Sequence, residues 1–354
     1  MRLLMKGNEA VVRGAVAAGC RAYFGYPITP ASEIAEMASL LLPDSGGVFV
    51  PAESEIGAIQ MLFGASSAGV RAMTASSGPG ISLMQEGISY MAGALLPGVI
   101  VDVQRAGPGL GNLGVEQGDY HQVVKAGGHG CYRTPVFAPN SVQEMCDLTI
   151  HAFDVADRYR TPVMVLADGA LGQMMEPVEI TAGAAEAPEK PWAVTGTART
   201  RGNLITSILL EHEKQEIHIT GLEKTYAEIE RNEVRWEEIR TEDAEILVVA
   251  FGISSRIARA AVDMARDQGV RVGLLRPISL LPFPARRLRQ LAGKVYAIMV
   301  LELNSGQMVD DVRLHVGGIT PVELMRRTGG MMPAAEEVAE ALRKMEKECV
   351  GNKA

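Results

Sequence analysis

Widely separated cysteines, the lack of any basic cluster and the lack of a long apolar run each remove a class of protein. The four cysteines, Cys20, Cys131, Cys146 and Cys349, show no Cys-x-x-Cys spacing. That scatter disfavours an iron-sulfur or zinc site within the chain, and it fits a reducing cytosol better than a disulfide scaffold. A net charge of -8 without a basic cluster argues against nucleic acid or an anionic membrane as a partner. The apolar run over 95–103 is broken by Pro97 and Asp102, and the opening residues hold no apolar signal region before Lys6-Gly7-Asn8-Glu9. Both features predict a cytoplasmic protein. The remainder is globular in balance, with 47% hydrophobic and 21% charged residues. A chain of 354 residues exceeds the usual size of one core and predicts two domains.

Three motifs carry most of the chemical information: Tyr26-Pro27-Ile28-Thr29-Pro30, Glu53-Ser54-Glu55-Ile56-Gly57-Ala58 and Thr74-Ala75-Ser76-Ser77-Gly78-Pro79-Gly80. Each falls where a strand gives way to a loop or helix, so all three can line one carboxyl edge of a parallel sheet. That edge is where α/β proteins place ligands. A single carboxylate entering a helix among small residues suits a flat heteroaromatic group that needs one acidic partner.

Around these motifs the pattern alternates. Strands are expected at 22–25, 48–50, 72–75, 98–104, 132–137 and 162–167, with helices at 55–68, 82–94 and 142–158. A first helix opens with Asn8 as N-cap and Glu9 in its first turn and stops at Gly19. Such alternation implies right-handed crossovers and a parallel sheet covered on both faces. Residues 181–191 turn to Ala, Glu, Gly and Pro and read as a boundary or extended arm. Over 222–239, Tyr226, Ile229, Trp236 and Ile239 fall on one face of a charged helix that lies across a surface. A second α/β unit follows, with strands at 246–251, 270–275 and 296–302 and helices at 257–268 and 334–347. Arg276-Pro277, Pro282 and Pro284 mark the loop after its second strand. The chain shows no internal repeat, and the division expected is 1–185, 186–243 and 244–354.

With the strand ending Gln104-Arg105 and the run Glu116-Gln117-Gly118-Asp119, the three motifs make the chain resemble the α-type subunits of the 2-oxoacid:ferredoxin oxidoreductases, most of all the 2-oxoisovalerate (branched-chain) members. The resemblance covers most of residues 5–180. It implies a pyrimidine-type thiamine-diphosphate-binding domain, a doubly wound parallel sheet, followed by a smaller transketolase C-terminal-like domain. The implied reaction is coenzyme A-dependent oxidative decarboxylation of a 2-oxoacid to acyl-coenzyme A and carbon dioxide, with reduction of ferredoxin. Glu55 takes the place of the family glutamate that hydrogen-bonds the cofactor's aminopyrimidine. Thr29 and Arg105 are expected at the substrate, and Tyr26, Pro27, Ile28, Ser76, Ser77 and Gly78 beside the cofactor. Asp119 and His121 are expected within reach of the cleft. Each has a plainer reading: Glu55 completing a helix N-terminus, Thr29 or Ser32 capping a helix, Arg105 in a surface ion pair, and Ser76 to Gly78 opening an ordinary helix.

Gly109-Leu110-Gly111-Asn112-Leu113-Gly114 spells G-x-G-x-x-G but starts several residues past its strand, and the next strand ends without the acid a ribose requires. A mobile loop over the site is the better reading. The family holds the diphosphate through Mg2+ on a Gly-Asp-Gly motif followed by an asparagine. Ala167-Asp168-Gly169 lacks the first glycine and that asparagine, so no metal site is expected in this chain. Mg2+ and [4Fe-4S] clusters are expected in partners: a β-type subunit, small γ-type and ferredoxin-like subunits, and ferredoxin itself. A homodimer of this chain is a further possibility. The alternatives left open are a 2-oxoglutarate or pyruvate enzyme and a non-catalytic assembly protein that keeps the fold.

Overall fold

The structure is a computed structural model that describes residues 2–180 and 188–351, with side chains described through residue 348. The chain runs β1 (Arg2–Lys6), α1 (Gly7–Ala17), β2 (Ala22–Gly25), α2 (Ser32–Asp44), β3 (Val48–Pro51), α3 (Glu55–Ser67), β4 (Ala72–Ser76), α4 (Gly78–Gly93), β5 (Gly98–Gln104), α5 (Tyr120–Val124), β6 (Val136–Phe137), α6 (Val142–Tyr159), β7 (Pro162–Asp168), α7 (Gly169–Gln173) and β8 (Met175–Glu179). It continues with α8 (His212–Asn232), β9 (Trp236–Ile239), β10 (Ile246–Val249), α9 (Gly252–Asp267), β11 (Val272–Pro277), β12 (Ser279–Leu281), α10 (Ala285–Ala292), β13 (Ala297–Glu302), α11 (Met308–Val316), β14 (Val322–Arg326) and α12 (Ala335–Gly351).

A seven-stranded sheet of order β12-β6-β7-β5-β4-β2-β3 forms the first unit. It is parallel except for β12, which pairs antiparallel with β6 and is contributed by the second unit. The strands are apolar because both faces are covered. In β5, Val99, Val101 and Val103 enter the core shared with α1 and α6, whereas Ile100 enters the core shared with α3 and α4. The period of two places Asp102 on the same face as Ile100. From β2 the chain passes to β3 on one side, and β4 lies on the other. The sheet therefore has a switch point between β2 and β4, where α/β folds open a crevice. The second sheet, of order β14-β13-β10-β11-β9, is parallel except for β9.

Buried hydrogen bonds lock the two units together. Gln117 Nε2 donates to the Phe251 carbonyl at 2.9 Å, while Gln117 Oε1 accepts from Ser254 Oγ at 2.5 Å and from the Leu303 N–H at 3.3 Å. Asp168 Oδ1 accepts from the Leu171 N–H, capping α7, and its Oδ2 accepts from the Ile253 N–H in the first turn of α9, each at 3.0 Å. Gly252 has φ +55, and a Cβ there would lie 2.7 Å from Gln117 Nε2, so glycine is required on both counts. Arg276, buried within β11, grips Glu144 of α6 through two bonds of 2.7 Å and Glu237 of β9 through one of 2.8 Å.

Several expectations are corrected. Asn8 is not an N-cap: α1 starts at Gly7, and the Asn8 amide donates to the Pro30 carbonyl at 2.8 Å and to Glu33 Oε2 at 2.9 Å, tethering the 26–30 turn. The strand expected over 132–137 is confined to Val136–Phe137. The helix expected over 222–239 ends at Asn232, and Trp236–Ile239 is a strand. The break is enforced at Glu233, whose buried carboxylate is held by Tyr159 Oη at 3.1 Å and Arg158 Nη1 at 3.3 Å, while the ladder to β11 stabilises the extended form beyond it. Arg276 and Pro277 belong to a strand rather than a loop, since two carboxylates draw the guanidinium inward. The segment 181–187 of the expected arm lies outside the described residues. Its continuation is docked, with Lys190 Nζ 2.6 Å from Asp157 Oδ1 and the Arg160 guanidinium 4.4 Å from the Trp192 ring centre. Among the described residues no helix is long and apolar enough to cross a membrane.

Burial pushes the Asp168 carboxyl from its ordinary 3.8 up to about 6. A carboxyl raised in the folded state favours folding most below its unfolded value, and that contribution is lost as pH rises through the folded one. The stability of the wild type relative to Asp168→Asn is therefore expected to fall by about 2 to 3 kcal/mol between about pH 4 and pH 6.5. Urea unfolding of both proteins across that range measures it; parallel stability curves would contradict the assignment.

Candidate active site at the carboxyl edge of the first sheet

The motif residues end neighbouring strands in register. Gly25 pairs with Pro51, Ser76 with Asp102, and Gln104 with Asp168. The 26–30 turn, the start of α3, the start of α4 and Arg105 thus converge on the switch point although 76 positions separate Thr29 from Arg105.

Glu55 opens α3 and is buried, with 5% of its surface exposed. Ser54 caps the helix by accepting from the Gly57 N–H at 3.3 Å, so Glu55 is not the capping residue. Ser76 Oγ, at the end of β4, donates to Glu55 Oε1 at 3.4 Å. Above them runs the first turn of α4, where a Cβ on Gly80 would lie 2.4 Å from Glu55 Oε1 and 2.0 Å from Ser76 Oγ. Gly80 is what lets the helix backbone descend onto the carboxylate. Ser77 occupies the N-cap position of α4, yet its hydroxyl makes no cap bond and is a buried polar atom without a partner.

The 26–30 turn presents Tyr26, Pro27 and Thr29 to solvent and keeps Ile28 half-buried against the α1 and α2 core. Arg105 Nη1 donates to the Thr29 carbonyl at 2.9 Å, while Arg105 Nε is buried without a partner. Thr29 therefore meets Arg105 through its backbone, not its hydroxyl. Beside Arg105 lies a cavity of about 930 Å³ between the two units, lined from the first by Gly78, Arg105, Glu116 and Asp119 and from the second by Asn304 and Gln307. His121 also lines it, its backbone N–H donating to Gln307 Oε1 at 2.8 Å. Asp119 reaches the first turn of α4, with its carboxylate 3.3 Å from where a Gly78 Cβ would sit. Burial pushes the Asp119 and Glu116 carboxyls up. The glycine-rich loop borders the cavity and rests on the second unit, with Asn112 Nδ2 donating to the Gly329 carbonyl at 3.2 Å.

Glu55, Ser76 and Gly80 form one cluster, and Arg105, Thr29, Asp119 and His121 line or border the adjacent cavity. Sequence reasoning gives no role to Asp102, Asn304 and Gln307, and takes Glu116 and Gln117 only as part of the 116–119 run. Asp102 carried a usable signal: an acid inside an otherwise apolar strand is buried against its chemistry and needs a reason. Asn304 and Gln307 carried none, because their neighbours come from the other half of the chain.

Residues 13–243 match the family model described as "Pyruvate flavodoxin/ferredoxin oxidoreductase, thiamine diP-bdg". The chain belongs to this family. Residues 244–338 match "Pyruvate:ferredoxin oxidoreductase core domain II", so the two matches meet between β9 and β10 of the second sheet. The chain is 57% identical over 343 residues to a ketoisovalerate oxidoreductase subunit VorB of Methanothermobacter thermautotrophicus, covering 97% of each chain. It is 39% identical to a 2-oxoglutarate synthase subunit KorA of the same organism, covering 96% of this chain and 98% of the relative. Among solved structures, a 2-oxoglutarate:ferredoxin oxidoreductase from Magnetococcus marinus superposes with a TM-score of 0.84 at 25% identity, covering 97% of this chain. The match spans 65% of that neighbour's length.

Two glycine substitutions separate close approach from open space. Gly80→Ala drives a methyl into Glu55 and Ser76 and is expected to lower stability by about 1 to 3 kcal/mol. Gly64→Ala, in α3 with nothing within 4 Å of its Cβ, is expected to raise it by about 0.5 to 1 kcal/mol. Thermal unfolding of the isolated chain reads both, and equal shifts would refute the packing of α4 onto Glu55.

Proposed function

We propose that this chain supplies one half of a thiamine diphosphate site in an oxidoreductase that decarboxylates a 2-oxoacid with coenzyme A, the other half coming from a different polypeptide. The observation that carries the reading is the Glu55 carboxylate, buried at the start of α3, held by Ser76 and covered by the first turn of α4 at Gly80. A fixed carboxylate among small residues fits the N1′ edge of an aminopyrimidine, and the stretch of chain that surrounds it belongs to a thiamine diphosphate-binding family. Bound there, thiamine diphosphate supplies a nucleophilic carbon beside a cationic ring that accepts the electron pair left by departing carbon dioxide. Glu55 holds the pyrimidine and favours the tautomer that can take a proton, while Tyr26, Pro27, Ile28, Ser76, Ser77 and Gly78 border the ring.

Arg105 binds the substrate carboxylate. One arm of its guanidinium is held by Thr29, which fixes its plane and leaves the rest for a planar anion. Thr29 positions Arg105 through its carbonyl, and its exposed hydroxyl remains free for the substrate. The preferred substrate is 2-oxoisovalerate, since identity to the ketoisovalerate subunit (57%) exceeds that to the 2-oxoglutarate subunit (39%).

The metal that grips the diphosphate and the iron-sulfur clusters belong to partners: a β-type subunit, with small γ-type and ferredoxin-like subunits that deliver electrons to ferredoxin. Two observations support this division. Both oxygens of Asp168, the nearest candidate for a metal motif, are taken by backbone N–H groups. Burial pushes the Cys20 and Cys146 thiols up to about 12, far from the thiolate form that clusters require. The assembled enzyme works in the cytoplasm.

In the reconstituted complex, Glu55→Gln is expected to lower kcat by about 10²- to 10⁴-fold with assembly intact. The chain alone is expected to show no turnover. A full rate for the Gln variant would leave only a scaffolding role, and turnover by the lone chain would refute the shared site. Across a panel of 2-oxoacids, kcat/KM is expected to be highest for 2-oxoisovalerate; preference for 2-oxoglutarate would reassign the subtype.

A further inference from the structure

We propose that Asp102 and Asp119 share one proton beneath the cavity, and that this proton holds the pair at a single negative charge and so sets how tightly an anionic substrate is bound at Arg105. The inference rests on the reading of that cavity as a 2-oxoacid site. Asp102 is 0% exposed, and among the described residues neither of its carboxyl oxygens accepts a hydrogen bond from an N–H or O–H group. An ionised carboxylate in that position would have given up its water with nothing to replace it. A protonated one keeps a donor, and the group that accepts it is Asp119. Burial, then the Asp119 charge, pushes the Asp102 carboxyl well above its ordinary range.

The surroundings of Asp119 match the accepting role. Its Oδ1 accepts from Gln122 Nε2 at 3.0 Å, whereas its Oδ2 is buried without an N–H partner. Its backbone N–H donates to Gln104 Oε1 at 3.1 Å, which fixes the loop so that Asp119 faces β5. Two carboxyls within hydrogen-bond reach of one another cannot both ionise without strong repulsion, so they titrate as a unit. Glu116 and Arg105 are the charges that face the pair. The elements packed around it bring Gly78 from α4, Gln122 and His121 from α5, and Asn304 and Gln307 from the second unit. Glu55, on α3, is separated from the pair by Ser76. His121 lines the cavity, its Nε2 3.2 Å from the Gln307 carbonyl and 3.7 Å from Asp310 Oδ2.

Asp102 is therefore a positioning residue that acts through Asp119 on the charge balance at Arg105. Loss of the shared proton adds a second negative charge beside a bound carboxylate. A unit charge within about 10 Å of a partly screened site weakens anion binding on the order of tenfold. In the reconstituted complex, the wild-type KM for 2-oxoisovalerate is expected to rise about that much as pH is raised, with kcat unchanged across the same limb. Asp102→Asn keeps a neutral donor toward Asp119, and its KM is expected to stay flat. An identical rise in the variant would overturn the proposal.

A substrate-free readout separates this inference from the reading beneath it. Infrared difference spectra of the complex, wild type minus Asp102→Asn at neutral pH, are expected to contain a carboxylic acid C=O stretch that shifts in D2O. Absence of that band would sink the shared proton whatever the substrate proves to be. If the Asn variant fails to assemble, Asp119→Asn is expected to shift the same band by replacing its acceptor, and an unmoved band would be equally fatal. A present band with a KM that ignores pH would overturn the coupling to Arg105.

Discussion

Gln117 sits where the two α/β units meet, and its side chain satisfies three backbone and hydroxyl groups from two segments of the second unit at once. Everything chemical in this chain depends on that junction. The carboxyl edge of the first sheet would otherwise be an open crevice; with the second unit docked, Asn304 and Gln307 form the opposite wall of the cavity beside Arg105. The junction is polar and buried, so each bond must be made for either unit to sit correctly. Asp168 reinforces it by capping one helix from each unit.

Within that frame, close backbone approach substitutes for side-chain bulk. The start of α4 descends onto Glu55 because Gly80 has no Cβ, and the loop before α5 comes up against the same turn at Gly78. Small residues at a ligand edge thus do two things: they let a carboxylate be buried next to a helix N-terminus, and they leave room for a flat ring. On the neighbouring strand the buried Asp102 carboxyl is pushed up by burial and by the charge of Asp119, which precedes α5. The edge therefore combines one buried carboxylate held by Ser76 with a second pair of acids beside Arg105.

The parallel architecture and the convergence of the three motifs were readable because each motif follows a short apolar strand, and adjacent strands of a parallel sheet put their carboxyl ends together. Three of the corrections share one cause. Asn8 is expected as a cap, the stretch containing Glu233 as one continuous helix and Arg276 in a loop, and each of the three is satisfied by residues far along the chain: Pro30 and Glu33, Tyr159 and Arg158, Glu144 and Glu237. Local propensity carries no information about such partners. Strand β12 shows the same limit, since a three-residue segment of the second unit completes the sheet of the first.

What the sequence by itself determined was the alternation of elements, the family, and the residue types at the ligand edge, because periodicity and short motifs are local properties of the chain. Only the tertiary structure decided that Ser76 holds Glu55, that the Thr29 carbonyl and not its hydroxyl meets Arg105, and that Asp102 has no partner but another acid. Those outcomes depend on strand order and on the docking of two units. Both are set by the burial of whole faces, which no short stretch of residues encodes.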